Sequence, residues 1–158
     1  MIIIKLSGLH GPKQYDAIIE ELVKANIDAN NIDNVKILPY IYNMEEVMNS
    51  SDIIISRSGA MTITEIAAIG KPAIFIPFPF ATENHQEYNA RVLEKAGAAR
   101  VILDKDLNAE VLTKTLHDML SDKNKLIQMG QNAKKIAIPD TLDRIYGEIK
   151  KLINNVGM

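Results

Sequence analysis

The chain has 158 residues, long enough to bury a core without staples and short enough for one domain. Hydrophobic residues make up 47% and charged residues 24%, with a formal net charge of -2. This is a soluble globular composition without the excess basic charge that broad phosphate-backbone binding needs, so nucleic acid is not an expected partner. No cysteine is present, which excludes disulfides and thiolate metal sites and leaves the cytoplasm as the default address.

Residues 1–6, MIIIKL, are too few for a signal-peptide core or a membrane span and read as a first strand ending at Ser7-Gly8. Residues 12–25, PKQYDAIIEELVKA, place Tyr15, Ile18, Ile19, Leu22 and Val23 on one helical face. The run VKILPYI, 35–41, is expected to form a second strand leaving through Pro39, followed by a short helix over 44–49. Residues 52–56 are a continuous apolar run, the kind of strand that is buried on both faces of a parallel sheet. A helix follows Gly59 and stops at Gly70, with Lys71-Pro72 beyond it. AIFIP, 73–77, is another buried strand. Asn84, with Glu87 three residues later, is expected to cap a helix that stops at Gly97. Residues 99–103 form a last strand, and 108–120, 122–137 and 140–155 read as helices, the last two divided by Pro139. Strands alternating with helices over short connections define an α/β fold with a mostly parallel sheet covered on both faces. No repeat, low-complexity tract or linker interrupts it.

In such sheets ligands bind beyond the carboxyl ends of the strands, which selects the loops 7–11, 40–44, 57–65 and 78–86. In SRSGAMTITE, 56–65, the first backbone N–H groups of a helix lack partners and the macrodipole is positive, so Gly59, Ala60, Met61 and Thr62 can together hold a phosphate. Glu65, about a turn further in, suits two neighbouring sugar hydroxyls. Ordinary capping fits the same residues, with Glu65 complementing the dipole and Arg57 a surface cation. In ENHQEYNA, 83–90, the donor and acceptor groups of His85 and Gln86 suit an uncharged, hydroxyl-rich ligand. A polar helix start capped by Asn84 accounts for them equally. His10 and His117 belong to no catalytic motif, and the chain has no metal-ligand spacing, P-loop or dinucleotide fingerprint.

The stretch DIIISRSGAMTITEIAAIGKPAIFIPFPFATENHQEYNARVLEKAGAARVI, extended backwards through PYIYNM and forwards through IPD, resembles the carboxyl-terminal half of the MurG family, glycosyltransferase family 28. The likeness spans residues 35–153, with several separated motifs in order. Members add N-acetylglucosamine to a lipid-linked muramyl-pentapeptide in peptidoglycan synthesis. The resemblance implies a Rossmann-like, doubly wound, mostly parallel sheet, one half of a two-domain GT-B glycosyltransferase. Residues 1–158 would form that single domain, with the amino-terminal acceptor domain absent.

The donor implied is UDP-N-acetylglucosamine, without a metal or other cofactor. By position, Ile41 resembles the residue whose backbone meets uracil. Arg57, Ser58 and Gly59 lead into Ala60, Met61, Thr62, Ile63, Thr64 and Glu65, which resemble the helix start along the nucleotide, with Glu65 on the ribose. Gln86 resembles a glutamine that contacts the donor sugar, and His85 stands where some members have a second one. The general base, the lipid acceptor site and the membrane patch belong to the amino-terminal domain, so no catalytic residue is assigned to this chain. The full enzyme would be cytoplasmic, at the inner face of the cell membrane, touching it only through that absent half. The chain opens with what resembles the family's second strand, implying an excised, truncated or split half that is inactive alone. Two further readings stay open: a non-catalytic nucleotide-sugar-binding module, and a subunit of a split glycosyltransferase with another acceptor, such as diacylglycerol.

Overall fold

The structure, a computed structural model, describes residues 2–5, 12–28, 36–38 and 40–156. The loop 7–11 lies outside these residues, as do Val35 and Pro39 of the expected second strand. Strands β1 (Ile2–Lys5), β2 (Ile53–Ser56), β3 (Ala73–Phe75) and β4 (Ala99–Val101) form one parallel sheet in the order β1-β2-β3-β4. The helices are α1 (Pro12–Lys24), α2 (Met44–Asn49), α3 (Ala60–Ile69), α4 (His85–Lys95), α5 (Ala109–Leu120), α6 (Lys123–Ile136) and α7 (Thr141–Val156), with 3-10 turns at Thr82–Asn84 and Asp104–Asp106.

Period-2 alternation divides the core between the sheet's two faces. Ile54, Ala73 and Phe75 pack with Ile66 of α3 and Ala90 and Leu93 of α4, while Ile53, Ile55 and Ile74 pack with Met119 of α5 and Met129 of α6. Covering both faces is why β2 and β3 read as unbroken apolar runs. Phe75 is fully buried, worth about 2–3 kcal/mol by transfer. α3 ends where Gly70 turns left-handed (φ 69°), its N–H bonding the carbonyls of Ile66 at 3.0 Å and Ala67 at 3.1 Å. Asn108 and Asp122 cap α5 and α6 by accepting from Val111 N (2.9 Å) and Lys125 N (3.0 Å).

The structure departs from the sequence reading in two places. Residues 36–38, 40 and 41 form no strand. Lys36 and Leu38 are exposed and Ile37 is half-buried, and Pro39 has no N–H to give a ladder. The position beside β2 is taken by β1, with Ile2 aligned to Ile53 and Ile4 to Ile55. The parallel α/β arrangement with both faces covered holds, but among the described residues the strand order runs without reversal. The second departure is at Asn84, which takes a left-handed conformation (φ 53°) and makes no side-chain cap. A capping side chain works from extended backbone. Here Asn84 Nδ2 instead donates to Glu87 Oε2 at 2.9 Å, and Glu83 before it is also left-handed (φ 52°).

Among the described residues no helix is long and apolar enough to cross a membrane.

Candidate functional site

β2 ends at Ser56, and Arg57, Ser58 and Gly59 carry the chain into α3. Gly59 is the extended residue at the helix start, and no side chain caps it. The first helical bond, Ile63 N to Gly59 O, is 3.0 Å, so the N–H groups of Ala60, Met61 and Thr62 stand ahead of the ladder. A Cβ built on Gly59 would meet nothing within 4 Å. There is room for a guest over the positive end of the helix. Around it Ala60 and Met61 are exposed, Thr62 is buried and Ile63 half-buried. Thr64 donates its hydroxyl to Ala60 O at 2.9 Å, and Glu65 is exposed on the following turn.

Gln86, at the start of α4, is drawn onto the same turn. Its Oε1 accepts from Ser58 N at 3.3 Å and Phe78 N at 3.1 Å, and its backbone carbonyl accepts from the fully buried Ser58 Oγ at 2.8 Å. With the amide oxygen used by two backbone donors, Gln86 has its NH2 group left for a ligand. Beside it, exposed His85 meets Thr82 O through Nδ1 at 2.6 Å. A carbonyl can only accept, so Nδ1 carries a proton, and in that tautomer of the imidazole Nε2 is an acceptor. The two side chains thus offer opposite halves of a hydrogen bond, a sharper division than donor and acceptor on each.

Arg57 is half-buried and turned towards protein groups. Its Nη1 reaches Ile76 O and Pro77 O, each at 3.1 Å, and Asp104 Oδ1 at 2.5 Å. The guanidinium also lies 5.8 Å from the centroid of the Phe78 ring. Asp104 is a neighbour of this turn that the sequence does not mark, whereas Phe78 opens the loop 78–86 already selected there. A contact between residues 47 positions apart leaves no periodic or motif signal.

Ser56, 2% exposed, holds the one buried side-chain polar atom among the described residues without a hydrogen-bond partner, its Oγ. Buried hydroxyls nearly always find partners, and this one sits at the strand end that feeds the turn. Ile41 is half-buried between exposed Tyr40 and Tyr42, whose rings meet edge-on with centroids 4.8 Å apart. The structure therefore brings Gln86 onto the turn 57–65, with His85 beside it in sequence and bonded to Thr82, while no bond among the described residues links Ile41 to them. No group of three or more acidic or histidine side chains able to hold a metal occurs among the described residues.

A parallel sheet with an uncapped helix start at the carboxyl end of an inner strand is the architecture of Rossmann-like nucleotide-binding domains. The model of the glycosyltransferase family 28 C-terminal domain matches residues 5–145, and the chain belongs to that family. It is 43% identical over 145 residues to the UDP-N-acetylglucosamine--N-acetylmuramyl-(pentapeptide) pyrophosphoryl-undecaprenol N-acetylglucosamine transferase of Acetivibrio thermocellus. Against the transferase of the same name from a Thermoanaerobacter species it is 47% identical over 142 residues. These alignments take in 92% and 90% of this chain but only 38% of each relative. Among solved structures, MurG of Acinetobacter baumannii is similar with a TM-score of 0.76 at 29% identity, covering 95% of this chain and 49% of that one. The glycosyltransferase VinC in complex with dTDP shares the fold at 23% identity, with a TM-score of 0.60 over 73% of this chain and 27% of that one.

Proposed function

We propose that this chain is the UDP-N-acetylglucosamine-binding part of a transferase that moves N-acetylglucosamine onto undecaprenyl-diphosphate-muramyl-pentapeptide. The observation that carries the reading is the open, uncapped start of α3, with Glu65 on the next turn and Gln86 tied to the residue before Gly59. The names borne by its relatives supply the chemistry of the donor and acceptor.

On this reading the pyrophosphate lies against the N–H groups of Ala60, Met61 and Thr62, Glu65 accepts from the ribose hydroxyls, and the backbone at Ile41 meets the uracil. Gln86 donates to a hydroxyl of the sugar and His85 accepts from one. When the glycosidic bond to UDP breaks, negative charge gathers on the diphosphate, where N–H dipoles fixed in advance stabilise it without reorganisation. The lipid acceptor and the base that deprotonates its hydroxyl come from the remainder of the enzyme, which works at the cytoplasmic face of the membrane and touches it through that remainder.

The test is calorimetric titration of the chain with UDP-N-acetylglucosamine, UDP-glucose and UDP. Binding is expected, tightest for UDP-N-acetylglucosamine. Glu65→Ala should weaken it by about ten- to a hundredfold, the loss of hydrogen bonds to a charged acceptor. A chain that binds no uridine nucleotide at millimolar concentration refutes the assignment.

A further inference from the structure

We propose that Arg57 and Asp104 form a clasp that positions residues 76–86, and through them Gln86, for the sugar end of the ligand. Arg57 is thus a positioning residue and not a ligand of the anion. The inference rests on the nucleotide-sugar reading of the site.

The bonds describe a support on two sides of one short segment. β3 makes its last ladder bond beyond Phe75, from Ile76 N to Ser56 O at 2.9 Å. Where that pairing stops, Arg57 Nη1 takes up the carbonyls of Ile76 and Pro77. The next N–H, that of Phe78, goes to Gln86 Oε1 at 3.1 Å. Arg57 therefore holds the carbonyls of the segment and Gln86 holds its following N–H. Gln86 in turn is fixed to Ser58 through Ser58 N and Oγ.

Asp104, on the turn after β4, completes the arrangement by meeting the same Nη1, so the clasp runs across the carboxyl ends of β2, β3 and β4. Nη1 has two hydrogens and three acceptors around it, and the guanidinium charge is compensated inside the protein. A cation committed in this way adds little field at the helix start. What it does control is whether the carbonyls of Ile76 and Pro77 stay in place. If they move, Phe78 N–H moves with them, Gln86 loses one of its two amide-oxygen donors, and its NH2 loses its aim. The start of α3 keeps its own helical bond, so the phosphate end should be spared.

The test uses Asp104→Asn and Arg57→Lys in the 158-residue chain, each checked by thermal melt, titrated with UDP and with UDP-N-acetylglucosamine. Amide exchange at Ser58 and Phe78 is followed by NMR without ligand. A clasp gives one phenotype in both variants. UDP affinity stays within about twofold, UDP-N-acetylglucosamine affinity falls about five- to tenfold, and Phe78 exchange accelerates. If Asp104→Asn, which releases the guanidinium, strengthens UDP binding while Arg57→Lys weakens it, Arg57 is a direct anion ligand and the proposal is overturned. Unchanged Phe78 exchange in both variants overturns it without any ligand. Faster exchange in both, with a parent chain that binds neither nucleotide, supports the clasp and refutes the nucleotide-sugar assignment instead.

Discussion

Helices α3 and α7 carry similar apolar residues in opposite circumstances. In α3, Thr62, Ile66 and Ala67 are buried, and the closing Gly70 is bonded back onto the last turn. In α7, Leu142, Ile145, Tyr146, Ile149, Leu152 and Ile153 recur at helical spacing along one stripe and are each between 49% and 81% exposed. The first helix uses its apolar face to fix a polar end at the site. The second presents an apolar face that the described residues leave in water.

Glycines test this contrast most severely. A Cβ on Gly130 of α6 would collide with the backbone carbonyl oxygen of Gly70 at the end of α3. Gly130→Ala should cost about 2–3 kcal/mol in urea unfolding, since neither backbone can yield without shifting a helix. Next in size, Gln86→Ala strips the acceptor from Ser58 N and Phe78 N and should cost about 1–2 kcal/mol, with sugar-nucleotide affinity falling too. In α7 the sign reverses. Gly147 would carry a Cβ with nothing within 4 Å, so Gly147→Ala should stabilise by about 0.5–1 kcal/mol through helix propensity. Equal effects at the two glycines would erase the distinction between the helices.

The smallest effect concerns acid. The amide of Asn84, and then Arg91, hold the Glu87 carboxyl below the usual glutamate range. A folded pKa below the unfolded one means this support for α4 is complete above the ordinary value of about 4.3 and is lost as pH falls through the lowered one. Amide exchange in the first turn of α4 should therefore rise only in that acidic window, and an NMR titration should show Glu87 holding its charge below it.

Much of the scaffold was legible because its signals are local. The apolar runs of β2 and β3, Gly70 after α3, and the helices beginning at residues 108 and 122 rest on signals that act within a few residues of themselves, and the structure keeps each. Residues 35–41 had the composition of a strand, but a strand exists only where it pairs with an edge, and the described residues 36–38, 40 and 41, three of them exposed side chains at 36, 38 and 40, join no ladder. Asn84 had the right type for a cap, but two successive left-handed residues turned its side chain onto Glu87. The turn at residues 57–65 was recognisable as a place for a ligand. Its tie to Gln86 and the clasp to Asp104 were not, because those partners lie 28 and 47 positions away and meet only after the sheet has assembled.

The Gly70–Gly130 contact has a consequence at a distance. α3 has ten residues, so its two ends are about 15 Å apart. Over that length a tilt of about 4° at the glycine end carries the other end through about 1 Å, enough to take a hydrogen bond out of reach. The missing side chain of Gly130 thus lets α6 wedge against the backbone end of α3 and hold the far end true, as a gunsight depends on its mount.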